Sequence, residues 1–168
     1  MLNKMSYNFG IFKVMKLYRI QQSIKLPIGR EEAWSFLSNP RNLQKLMPDD
    51  MGFDILSGAE ETVYTGQLIE YNVTPFKGFK TKWVTEITHV QKPDYFVDIQ
   101  LYGPYKLWHH KHFIKEIEGG VQIDDLVHYR VPFGFLGQLL HPLVVKPKLE
   151  SIFNTRTEKM HALFGEYK

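Results

Sequence analysis

The chain has 168 residues, of which 43% are hydrophobic and 14% aromatic, with a net charge of +3 and no cysteine. That composition suits one packed domain with a single core and excludes a disordered chain. It also excludes disulfides and thiol catalysis, and basic residues scattered rather than striped argue against a nucleic-acid partner.

No run approaches the roughly 20 apolar residues that a membrane span needs, so no stable membrane insertion is expected. The opening residues are interrupted by Asn3, Lys4, Asn8, Lys13 and Lys16, which breaks up any secretory apolar core and points to a cytoplasmic location. Residues 1–14 read as an N-terminal extension ahead of Met15, and 15–168 as a single domain.

Lys16 to Leu26 alternates as a first strand and Pro27 ends it. Ile28 to Ser38 reads as a helix, with Glu31 and Glu32 in the first turn and Ala33, Trp34 and Leu37 as its apolar stripe. Asn39-Pro40 stops it, and Arg41 to Met47 supplies a second short helix before Pro48. Phe53 to Leu56 is a short strand. Thr62 to Val73 is predicted as a long one with Val63, Thr65, Gln67, Ile69, Tyr71 and Val73 on one face, and Thr74 to Phe79 as a turn exposing Phe76 and Phe79. Those two rings are read either as a gate or membrane contact, or as side chains capped by their neighbours. Thr81 to Val90 follows as a strand.

From Tyr95 to Val131 the sequence reads as three strands in an antiparallel meander, turning at Gly103-Pro104 and at Glu118-Gly119-Gly120. The two turns set Gln100 opposite Trp108, Asp98 opposite His110 and Phe96 opposite His112. They also set His112 opposite Asp125, His110 opposite Val127 and Trp108 opposite Tyr129, all on one face. A face of Trp, His, Asp, Gln and Tyr is too polar for an ordinary core and too aromatic for a wet surface, so it is read as a cavity wall. After Pro132, His141-Pro142 and Lys146-Pro147 are expected to break the backbone. A helix then follows from Lys148, with Leu149, Ile152, Phe153, Met160, Leu163 and Phe164 as its stripe and Gly165 as its stop.

Strand, two short helices, six antiparallel strands and a long C-terminal helix is an α+β order. It resembles the helix-grip proteins of the SRPBCC superfamily, which includes START-like, polyketide-cyclase-like and plant-allergen-like proteins. The resemblance is carried by Leu26-Pro27, Ala33-Trp34, Asn39-Pro40 and Trp83 to Ile87. Phe96, Asp98, Gln100, Gly103-Pro104-Tyr105, Trp108, His110 and His112 continue it, and Asp125, Val127, Tyr129 and Pro132-Phe133-Gly134 complete it. Within the superfamily it is closest in character to a bacterial subgroup described as similar to cell-division inhibitors.

The resemblance implies a curved seven-stranded sheet around the last helix, with a cavity between them for a hydrophobic small molecule or lipid. Ligand contacts are expected from Trp83, Ile87, Phe96, Asp98, Gln100, Trp108, His110, His112, Asp125, Tyr129, Ile152 and Phe153, with no cofactor. Asp98 with His110, and Asp125 with His112, read either as acid/base dyads or as buried polar groups that satisfy each other. His110 and His112 share a strand face and could chelate a metal weakly, but no second metal-spaced motif supports that, and no metal is assigned. Three functions stand open: a binding protein, which is the leading reading; a cyclase or hydratase using an Asp/His pair; and an interaction module with a filled core. The oligomeric state is left open.

Overall fold

The strands that the sequence alternation predicts form one sheet. In the computed structural model, which describes residues 16–76 and 78–168 apart from the Phe76 side chain, β1 (Tyr18–Leu26) is followed by α1 (Arg30–Leu37) and α2 (Pro40–Leu46). Six more strands come next: β2 (Gly52–Ser57), β3 (Leu68–Phe76), β4 (Phe79–Gln91), β5 (Tyr95–Tyr102), β6 (Leu107–Ile117) and β7 (Gly120–Arg130). The seven strands order as β1-β7-β6-β5-β4-β3-β2 in one antiparallel sheet, so the meander closes with β1 laid beside β7. The N-terminal extension expected over residues 1–14 lies outside the described residues.

Local chemistry explains the elements. Glu31 and Glu32 sit in the first turn of α1, where carboxylates meet the positive end of the helix dipole, and Ala33 and Trp34 are buried. Asn39 caps α2 by accepting from the Arg41 N–H at 3.0 Å, with Pro40 in the first turn. Register shifts between β2 and β3, β3 and β4, and β4 and β5 bend that half of the sheet, as bulges do.

Three expected boundaries are corrected. The long strand from Thr62 begins only at Leu68, because the Gln67 side chain bridges the Tyr64 N–H and the Gly58 carbonyl and holds residues 64–67 in a turn. Val63, Gln67, Ile69, Tyr71 and Val73 are nevertheless buried, while Thr65, expected on the same face, is exposed because the turn carries it outward. The segment from Thr74 is strand through Phe76, and β4 starts at Phe79, which is more than half exposed.

The third correction concerns the C-terminal segment, which does not break at its prolines. α3 (Gly134–Leu140), a π-helical turn (His141–Val145) and α4 (Lys146–Phe164) follow one another without a gap. The widened turn lets the Lys146 N–H reach the His141 carbonyl, and Pro142 and Pro147 fall near the starts of their segments, where a missing N–H costs least. Leu163, expected on the buried stripe, is exposed.

Two apolar clusters fill the space beneath the helices. One gathers Leu26, Trp34, Leu46, Ile69, Phe96, Ile114 and Met160, and the other Trp108, Val127, Tyr129, Leu149 and Phe153. Along β6 the buried positions read Trp108, His110, His112, Ile114. Along β7 they include Ile123, Asp125, Val127, Tyr129, and along α4 they are Leu149, Phe153, Arg156, Met160. In all three elements polar groups sit between the apolar ones.

Candidate functional site

The pairing register predicted for the meander holds as far as the ladder runs, but β5 and β6 part after Ile99 and His109, so the expected Gln100–Trp108 pair does not form. Asp98 lies opposite His110, Phe96 opposite His112, His112 opposite Asp125, His110 opposite Val127 and Trp108 opposite Tyr129. The hydrogen bonds, however, run diagonally: His112 Nε2 lies 2.8 Å from Asp98 Oδ2, and His110 Nε2 lies 3.0 Å from Asp125 Oδ1. The remaining ring nitrogens close the arrangement. His112 Nδ1 is 2.8 Å from Asp125 Oδ1, off the hydrogen-bond direction, and His110 Nδ1 is 3.6 Å from Asp98 Oδ2. The two imidazoles are 3.7 Å apart at their centroids, and Phe96 stacks on His112 at 4.1 Å. The two expected dyads are therefore one four-residue network.

A fifth member comes from α4. Arg156 Nη1 lies 3.4 Å from Asp125 Oδ1, and both side chains are buried. Sequence reasoning passed over Arg156, although it falls between Phe153 and Met160 on the helix face that carries the apolar stripe. A charged residue in line with such a stripe is the signal that could have found it.

The environment drives the two histidines apart. Burial and the neighbouring His112 push His110 below the ordinary histidine range, more strongly than Asp125 and Asp98 raise it. Burial also opposes charging of His112, but its contacts with Asp125 and Asp98 outweigh that and hold it above the ordinary range. Burial would raise the Asp125 carboxyl, yet Arg156 first, and His110 and His112 after it, hold it well below the usual carboxylate range. Arg156 and the two imidazoles thus all lean on the Asp125 carboxyl, and the site moves the two imidazoles' proton affinities in opposite directions. Buried charges persist when they are paired in this way.

A pH dependence follows. Because the folded-state value of His112 is raised, its stabilisation is complete below the ordinary histidine value of 6.5 and is lost as pH rises through the raised value. His110 acts oppositely: its contribution is complete above 6.5 and is lost as pH falls through its lowered value. Urea midpoints measured across pH should therefore fall on the alkaline side in the natural chain, and His112→Gln should abolish that fall. An unchanged alkaline slope in the variant would remove His112 from the account.

The cluster borders a cleft between α4 and the β1–β7 edge, lined by Gln22, Ile24, Ile123, Asp125, Phe153, Arg156, Thr157 and Met160, whose cavity volume is only about 10 Å³, the room of about one water. The cavity expected from the sequence is therefore absent here: the space under α4 is filled by side chains, as the filled-core reading expects. Phe153, Arg156 and Met160 reach from α4 into the space, and Gln22 Nε2 donates to Thr157 Oγ1 at 3.2 Å across its rim. A larger open groove of about 200 Å³, beside Glu31, Trp34, Ser35 and Lys92, lies along α1, and none of the clustered ionisable residues lines it.

Of the twelve expected ligand contacts, Asp125 and Phe153 line the cleft, with Asp98, His110, His112 and Phe96 in the network beside them. Gln100 is spent elsewhere: its amide bonds both the carbonyl and the N–H of Tyr105 and ties the β5–β6 turn. Trp83 and Trp108 meet edge to face at 5.4 Å, and Trp83 Nε1 donates to Thr85. Tyr129 bonds His141 Nε2 at 2.8 Å, against which Tyr18 stacks. Ile87 is buried in the larger core cluster, and Ile152 is half-buried against it. Donor atoms of Asp98, His110 and His112 lie within 4.8 Å of one another.

Solved structures with the same architecture are numerous. A protein of Chromobacterium violaceum superposes with a TM-score of 0.68 at 11% identity, over 89% of this chain and 99% of that one. Major latex-like protein 151 of Panax ginseng gives 0.64 at 11% identity, over 88% and 97%. A protein of Mycobacterium smegmatis gives 0.61 at 17% identity, over 86% and 92%. This is the helix-grip fold. In the helix-grip frame the ionic cluster stands on the concave face, under the long C-terminal helix. No family model and no curated protein matches the sequence.

Proposed function

We propose that this helix-grip chain belongs to the SRPBCC superfamily and binds an amphipathic small molecule, of lipid, isoprenoid or polyketide-like character, in the cleft between α4 and the sheet. The observation that carries this reading is Arg156. Its Nη1 faces Asp125, while the guanidinium, with five N–H donors in all, lines a cleft otherwise walled largely by Ile24, Ile123, Phe153 and Met160. A wall built only for stability gains nothing from five buried ionisable groups, because apolar residues of similar volume pack as well or better. A few polar groups at the end of an apolar cleft orient a ligand. Arg156 would meet a carboxylate or carbonyl, with the ligand's apolar body against Phe153 and Met160, and because the closed cleft has room for about 10 Å³, both entry and occupancy require α4 to lift from β1 at the Gln22–Thr157 contact.

Native mass spectrometry of protein purified without detergent tests this. A bound apolar molecule is expected, and Phe153→Trp should lose it while keeping the fold. Protein that is empty in both forms, and that also ignores fluorescent fatty acids, would sink the reading.

The split between His110 and His112 favours a second reading, in which the pair moves a proton on the bound molecule. His110→Asn would then stop turnover of the extracted compound while leaving its affinity nearly unchanged.

A further inference from the structure

The helical segment after β7 is amphipathic the wrong way round for a protein that has only itself to fold. Leu136, Leu139, Leu140, Leu143 and Val144 recur at the spacing of one helix face. That face points to solvent, with Leu143 at 75% exposure. The buried side of the same segment is made by Gly137, where a Cβ would meet the Pro132 carbonyl at 1.9 Å, and by His141, held between Tyr18 and Tyr129. Beside the stripe stands Phe133, 82% exposed and in the left-handed region at φ 61°. A bulky residue there strains the backbone, and the strain secures no burial of its ring.

Charge identifies the occupant. No carboxylate occurs from Val131 to Leu149, while Lys146 and Lys148 fall within that stretch. Lys16 and Lys146 both lie close enough to His141 to help lower its proton affinity, after burial. The Lys106 N–H bonds the Arg130 carbonyl, which sets Lys106 at the end of β7, three residues before Phe133. Among the described residues, the acids paired with these lysines are Glu150, 3.7 Å from Lys146, and Asp50, 3.9 Å from Lys148. An apolar face rimmed by lysines matches an anionic bilayer surface: the side chains enter the headgroup boundary and the ammonium groups meet lipid phosphates. No helix among the described residues is long and apolar enough to cross a membrane, so the contact is peripheral.

We infer that the face formed by Phe133, Leu136, Leu139, Leu140, Leu143 and Val144 docks this protein on an anionic membrane surface. The full chain should be sedimented with phosphatidylcholine vesicles, with and without about one third phosphatidylglycerol. Binding is expected to be at least about tenfold stronger to the anionic vesicles and to weaken as salt is raised. Phe133→Asn combined with Leu143→Asn should weaken it by at least about tenfold, with the circular dichroism spectrum and melting temperature retained, since both side chains are exposed and asparagine tolerates the left-handed backbone. Absence of binding to either vesicle, or full binding by the double variant, would overturn the inference. Light scattering that shows a dimer dissolved by the double variant would overturn it too, making the face a contact between copies of the chain.

Discussion

Arg156→Leu is expected to lower the unfolding free energy by about 3–5 kcal/mol, the cost of leaving one partner of a buried ion pair uncompensated. Asp125 is the group left behind. It is buried, its Oδ1 faces His110, His112 and Arg156, and the guanidinium is the main reason its carboxyl stays ionised. Leucine preserves the bulk under α4 but supplies no charge, so the carboxylate must take up a proton or draw water into the interior. Adding Asp125→Asn should restore much of the loss, because it removes the orphaned charge while keeping a hydrogen-bonding group for the histidines. Urea unfolding of the natural chain, the two single variants and the double variant measures the coupling. Equal midpoints for the natural chain and Arg156→Leu would show that Arg156 does not compensate Asp125. The proposed binding site makes a separate demand: Arg156→Lys, which keeps charge but not the planar fork, should weaken ligand binding more than it weakens the fold.

Phe153→Ala should cost a similar amount, about 3–5 kcal/mol, for the lost burial and the void left in its place. Phe153 is buried beneath α4, in edge-on contact with His110 at 5.8 Å between centroids, and forms part of the cleft wall. The useful feature of the variant is where the void falls. It joins the existing cleft between α4 and the sheet, so an apolar ring compound such as naphthalene should enter and raise the melting temperature toward that of the natural chain. A variant that is destabilised but unresponsive would mean that α4 settles onto the sheet instead, and the cleft would then lack the rigidity to enclose a ligand. Compared with Phe153→Trp, which fills the same space, the two substitutions bracket the volume the cleft can hold.

Both predictions turn on α4, and α4 is where reading the chain alone was weakest. The strands were legible because alternation and turn residues are local properties. Gly119 and Gly103 adopt positive φ at their turns, the hairpins therefore close where the glycines fall, and the register of Asp98, His110, His112 and Asp125 follows from counting. Face membership was legible for the same reason, even across residues 62–67, where the alternation runs on without a strand except at Thr65. The run of two short helices after β1 was likewise marked by local signals, the acidic first turn of α1 and the Asn39-Pro40 start of α2.

What the sequence by itself determined was therefore the set of strands, the sequential antiparallel pairing from β2 to β7 and the face on which the ionisable residues gather, while the place of β1 beside β7 was settled by the tertiary structure. The tertiary structure alone decided how those residues bond. Cross-strand neighbours differ from diagonal ones by only a few ångströms, so side-chain rotation toward α4 selects His112 with Asp98 and His110 with Asp125. It also decided that Arg156 completes the network, because a contact between a helix and a sheet 31 residues earlier leaves no periodic trace in the chain. The prolines that looked like breaks became part of one continuous helical segment, because each falls near the start of its helical turn and a π-helical turn between them joins the two helices. Finally, the size of the space under α4 depends on how far Phe153, Arg156 and Met160 reach into it, a matter of packing between elements that no single stretch of sequence contains.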